Sequence, residues 1–188
     1  MKMVSSEILA NAPDRGVTYE LLGSLWASPD AKLLHSMTIN AGGLPESWNE
    51  LVVNSKGVDQ ELLDTEFTRL FIGPKNHLPP FQSVWQERQL EGEAAASMRR
   101  YADVANSDLT TDDLSTQLLL MSRLLFESTQ TDAPELAEFT ASYFHAHLTW
   151  PEDFLRAAAN RAELAFFRSL SELTREFLAD ETTRLTTA

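Results

Sequence analysis

Apolar residues recur at intervals of three and four along almost the whole chain, and no stretch shows the two-residue alternation of a half-buried strand. Val17, Leu21, Leu22 and Leu25 share one face after Asp14, and Ser28-Pro29 closes that segment. A short helix is expected over 32–38 before Gly42-Gly43, and another after Pro45, carrying Trp48, Leu51 and Val52 and stopped by Gly57. Leu63, Phe67, Leu70 and Phe71 mark the next face. The spacing predicts a weaker helix over 94–105, a strong one with Leu114, Leu118, Met121 and Leu125, and one opening at Asp132-Ala133-Pro134 with Leu136, Phe139, Tyr143 and His147. Pro151 can open a last long helical region aligning Phe166, Leu170, Leu173 and Phe177. The fold class is all-α, a single compact helical bundle-like domain over 1–178, with a polar, small-residue tail over 179–188 expected to be disordered.

With 188 residues and 43% hydrophobic content the chain can bury a substantial core in one domain or two small lobes. A formal charge of −13 repels nucleic-acid phosphate and anionic membranes and favours a basic peptide, protein patch or cation. Zero cysteines exclude disulfides, thiolate metal sites and cysteine nucleophiles, which fits a reducing compartment, the cytoplasm by default. No apolar run approaches the roughly 20 residues of a membrane span, and the N-terminus lacks a signal-like apolar core, so neither stable membrane insertion nor export is expected.

The helical pattern breaks at 73–85. Gly73-Pro74 punctuates it, Pro79-Pro80 stiffens the backbone, and Leu78, Phe81, Val84 and Trp85 offer more apolar surface than a solvated connection needs. Such a loop must pack or bind something.

The catalytic search finds no phosphate-binding glycine loop, nucleophile elbow, zincin helix or Glu-x-x-His pair. No catalytic residue, cofactor or metal is assigned. His145 and His147 stand two apart, and on a helix they point away from each other. His147 either covers the core or lies beside Trp150-Pro151 in a groove and donates a hydrogen bond to a partner. Asp112 and Asp113 suit metal or acid/base work, but a helix start with Thr110 and Asp113 in capping-box order explains them adequately. Glu61, Asp64 and Glu66 read as a solvated acidic face that could meet a basic partner. Tryptophans are usually core; Trp85 and Trp150 differ because each adjoins a proline-marked break.

The order Glu66-Phe67-Thr68-Arg69-Leu70-Phe71-Ile72-Gly73-Pro74, then Pro79-Pro80-Phe81-Gln82-Ser83-Val84-Trp85, resembles the hallmark of the TorD/DmsD/NarJ family of redox-enzyme maturation chaperones. The run from Asp112 to Met121 is similar to the family's Asp-His-Leu/Ile helix start, and His147-Leu148-Thr149-Trp150-Pro151 with Phe154 to its second stretch. Arg15, Tyr19 and Leu22 suit its first helix. Three positions depart: the family usually has glutamate at 82, histidine at 113 and glutamate at 117, where this chain has Gln82, Asp113 and Gln117.

The resemblance implies a TorD-like, non-enzymatic cytoplasmic chaperone, monomeric or homodimeric. Its partner would be a molybdenum-cofactor oxidoreductase precursor, bound by its twin-arginine leader, its body or both until the cofactor is loaded. One peptide groove is expected from Leu78, Pro80, Phe81, Ser83 and Trp85 with Asp112, Asp113, His147 and Trp150. The alternatives are a leader-independent assembly adaptor for a cytosolic redox-enzyme subunit and a nucleotide hydrolase, against which the missing phosphate loops argue.

Overall fold

A computed structural model describes residues 9–130 and 134–187. Among the described residues ten α-helices follow in order: α1 Ala12–Ala27, α2 Ala31–Ile39, α3 Asn49–Asn54, α4 Gln60–Phe67, α5 Gln82–Glu87, α6 Glu93–Val104, α7 Leu114–Gln130, α8 Pro134–His147, α9 Glu152–Arg161 and α10 Ala165–Thr187. A π-helical turn, Thr68–Ile72, extends α4. No strand occurs among the described residues; an isolated antiparallel bridge joins Phe81 to Asp113. The all-α expectation holds, and the chain divides into two compact units. Of the described residues, one unit comprises those up to Ala27, those of Phe81–Pro151 and those from Leu178; the other comprises Ser28–Pro80 and Glu152–Phe177.

In the first unit α1 lies close against α7. A Cβ at Gly23 would come within 2.8 Å of the Leu119 side chain, so any larger residue would push the two helices apart. The Ser122 hydroxyl donates to the Gly16 carbonyl across the same seam at 2.8 Å. Tyr19, Leu22, Leu25 and Trp26 are buried, whereas Val17, assigned to the core face by spacing, is about half exposed. Helix α7 buries Leu114, Leu118, Met121 and Leu125 as its period requires. Its cap is Asp113, whose carboxylate accepts from the Thr116 amide at 3.0 Å, rather than a box begun by Thr110. The start of α8 at Pro134 agrees with the sequence, but Asp132 and Ala133 lie outside the described residues. Helix α6 is capped at a distance: Glu87 accepts from the Glu93 and Ala94 amides, each at 2.8 Å, and these bonds lower its pKa. A Cβ at Gly92 would meet that carboxylate, so a side chain there would displace the cap.

The segment from 179, expected to be a disordered tail, is helical through Thr187 as the end of α10. Leu178, Glu181 and Leu185 recur at three and four and are buried, and the intervening threonine hydroxyls donate to carbonyls one turn back. Glu181 is only 2% exposed. It accepts from Arg15 Nε at 2.8 Å and Nη2 at 2.6 Å, and from the Tyr19 hydroxyl at 3.0 Å. Burial first, then the Glu181 charge, raises the Tyr19 pKa, so this hydroxyl remains a donor.

The second unit is built on aromatics. Phe71 packs against Phe67, Phe154 and Phe167 with ring centroids 5.2–5.9 Å apart. Trp48, Leu51 and Leu63 are buried, and Gly57, at φ +74°, ends the α3 region as its position suggests. Caps come from Asp30 to the Lys32 amide at 2.7 Å and from Asp59 to the Leu62 amide at 2.9 Å. Glu66 is buried, not part of a solvated acidic face. Its carboxylate takes Arg69 Nε at 2.7 Å and the Glu163 amide at 2.6 Å, and Arg69 also donates to the Arg161 carbonyl at 2.8 Å. Burial pushes the Glu66 pKa up, but the bonds from Arg69, Glu163 and Leu164 outweigh it and leave the pKa lowered. The same contacts split the long helical region after Pro151 into α9 and α10, because Glu66 holds the amides of the 162–164 break.

Candidate functional site

The candidate site lies in the first unit, where the loop seen in the sequence becomes helix from Gln82 onward. Asp112 fastens its start: the Gln82 amide donates to the Asp112 carbonyl at 3.0 Å and the Ser83 amide to the Asp112 carboxylate at 2.7 Å. Adjacent aspartates therefore cap different helices, Asp112 serving α5 and Asp113 serving α7. Asp113 is also bonded by the Thr111 and Ser115 hydroxyls.

Behind this segment runs a buried chain of neutral polar groups. Trp150 Nε1 donates to Gln117 Oε1 at 2.8 Å, and Gln117 Nε2 donates to Gln82 Oε1 at 2.7 Å. The same Gln82 oxygen accepts from His147 Nδ1 at 2.8 Å, while Gln82 Nε2 donates to the Ala146 carbonyl at 2.8 Å and to Gln86. A carbonyl can only accept, so the bond to Ala146 fixes the orientation of the Gln82 amide. That orientation places the imidazole proton on Nδ1 and leaves Nε2 to accept from the Ser97 hydroxyl at 3.1 Å. Burial, assisted by the positive charge of Arg100, lowers the His147 pKa to about 4, so the ring is neutral near pH 7. Tyr143 donates to the Gln117 carbonyl at 2.9 Å, and Tyr101 packs edge-on against His147 with centroids 5.2 Å apart.

The structure thus gathers Phe81 and Ser83 with Asp112 and Asp113, and His147 with Trp150 through Gln82 and Gln117. Phe81 and Trp85 are partly exposed, and the Ser83 hydroxyl is buried with no hydrogen-bond partner among the described residues. Leu78 and Pro80 belong to the second unit, where the Leu78 amide donates to the Leu70 carbonyl at 2.7 Å. His145 is exposed and His147 buried, as their two-residue separation requires. Among the described residues no three His, Asp or Glu side chains group to hold a metal ion.

Gln82 and Gln117, noticed in the sequence only as departures from a pattern, are the hub of the network. Gln117 carried a usable signal, since it lies on the face of α7 formed by Leu114, Leu118 and Met121, where a polar side chain must find a buried partner. Ser97 and Tyr101 offered no such signal; their role depends on how α6 meets α8.

A buried, neutral, hydrogen-bonded network that backs partly exposed aromatic side chains at one end of a helix is an arrangement suited to binding. The model of the nitrate reductase delta subunit family matches residues 40–156, and the chain belongs to that family. It is a redox-enzyme maturation chaperone of the type its motifs resemble. The chaperone protein YcdY of Escherichia coli (strain K12) is 29% identical over 167 residues, spanning 85% of this chain and 89% of its own length. Among the described residues no helix is long and apolar enough to cross a membrane.

Proposed function

We propose that this chain is a cytoplasmic chaperone that holds the precursor of a molybdenum-cofactor oxidoreductase through its twin-arginine leader, assisting cofactor loading before export. The supporting observation is the way Asp112 and the Gln82–Gln117–His147 network fix the segment carrying Phe81, Ser83 and Trp85. A rigid backing lowers the entropy lost when partly exposed aromatics engage a ligand. Apolar burial on those rings supplies affinity, and the net charge of −13 speeds encounter with a peptide that has a basic end. Leu78 and Pro80 remain proposed contacts on the strength of the motif alone.

Affinity capture of the tagged protein from its native cells, with mass spectrometry of retained proteins and their uncleaved N-termini, tests this. Recovery of a molybdoenzyme precursor bearing its leader is the expected result. Capture that persists after leader deletion would replace leader binding with the adaptor role.

A further inference from the structure

Two adjoining hollows lie along the outer face of α7 in the first unit. The larger, about 840 Å³, is floored by Leu124, Leu136 and Phe139 and bordered by Val104. The smaller, about 440 Å³, is formed by Leu109, Leu119 and Phe126. Arg123 and Glu127 stand between the two on the exposed crest of α7, so the larger hollow is a groove of its own. Val104 is 72% exposed at its edge, a large apolar side chain left in water.

The groove's charge is one-sided. Arg123 is engaged by Asp108 at 3.5 Å and by the Ser107 hydroxyl at 2.7 Å. Glu127 and Glu135, by contrast, have no ion-pair partner among the described residues. An apolar floor rimmed by unpaired carboxylates suits a segment with apolar side chains on one face and lysine or arginine beside them. A second copy of this chain fits poorly, because its own charge of −13 would meet the acidic rim.

We propose that this groove is a second client-docking surface, taking a basic amphipathic helical segment of the client polypeptide in addition to the contact around Phe81 and Trp85. The proposal rests on the chaperone function above. Phe139 at the groove floor packs on Tyr101 with centroids 5.2 Å apart, and Tyr101 packs on His147, so an occupied groove is in contact with the backing of the first site.

The test uses the whole protein and two synthetic helical peptides, one with leucines at helical spacing and lysines between them, the other with glutamates replacing the lysines. The lysine peptide should bind at least about tenfold more tightly. Glu127→Lys with Glu135→Lys should erase that preference while circular dichroism stays unchanged, since both side chains are exposed. A photo-cross-linking residue at Val104 should attach to the lysine peptide. Undetectable binding, an affinity unchanged in the double variant, or cross-links from Val104 only to a second copy of the chain would each overturn the proposal. Precursor capture is read separately. If the double variant binds peptide less but still captures precursor undiminished, the groove is no client-docking surface and the leader contact stands. If the wild type binds the lysine peptide in the groove but captures no precursor, the leader contact fails and not the groove.

Discussion

Two buried polar clusters in the first unit solve the same problem in opposite ways. Between α1 and the end of α10, Arg15 and Glu181 place full charges in the interior and neutralise them against each other, with Tyr19 completing the carboxylate's bonds. Between α5, α7 and α8, Gln82, Gln117, His147 and Trp150 use only neutral groups. A buried charge pair tolerates almost no loss of one partner, because the survivor is left uncompensated. A neutral chain tolerates loss better but depends on one group, His147, staying unprotonated. The first arrangement suits a fixed seam that brings the C-terminal helix home. The second suits a site whose backing must be rigid without presenting charge to an apolar ligand.

The contrast breaks most severely at Arg15. Arg15→Met should cost about 3–5 kcal/mol in urea unfolding, while the Arg15→Met/Glu181→Met double variant should recover most of that loss. If the single variant is nearly neutral, with Arg184, 3.4 Å from Glu181, taking over, the seam is less dependent on Arg15 than its geometry implies.

Acid should act on the other cluster. The native His147 pKa is lowered to about 4 from an ordinary 6.5, so the unfolded chain binds the proton more readily between those values. Stability from this group is therefore complete above pH 6.5 and is lost as pH falls toward 4. The difference of about 2.5 units corresponds to about 3 kcal/mol. Unfolding followed from pH 7 to pH 4 should show this loss, and His147→Asn should remove most of its slope.

Gln82→Leu should cost about 2–3 kcal/mol, since it strands His147 Nδ1, Gln117 Nε2 and the Ala146 carbonyl together. Thermal unfolding checks it, and a loss well under 1 kcal/mol would mean that water replaces the amide. Smaller again, Asp113→Ala should cost about 1 kcal/mol by removing the α7 cap, read by the same thermal unfolding.

Sequence and structure agree where one element decides its own pattern. The α7 face, the stop at Gly57 and the break at Gly73-Pro74 follow from spacing or backbone chemistry carried by the residues themselves. They part where a distant residue decides. The interruption at 162–164 has no glycine or proline to announce it and is set by Glu66, about 97 positions earlier, whose own burial local composition hides. The helix beyond 179 is held by Arg15 across 166 positions, so a small, polar stretch reads as a tail although Leu178, Glu181 and Leu185 recur at helical spacing. At the site, the aspartates were legible as caps, but not that they serve two helices. The glutamines were visible only as departures, since a hydrogen bond between α5 and α7 leaves no trace in either segment alone.

The central claim is that the segment from Phe81 to Trp85 is a ligand-binding surface on a prebuilt scaffold, and Trp85→Ala tests it most directly. Titration of the captured client's leader peptide into wild type and variant, with melting temperatures measured alongside, should show binding weakened by at least about tenfold at little change in stability. Undiminished binding in a folded variant would contradict the claim, and a large loss of stability would return Trp85 to the core.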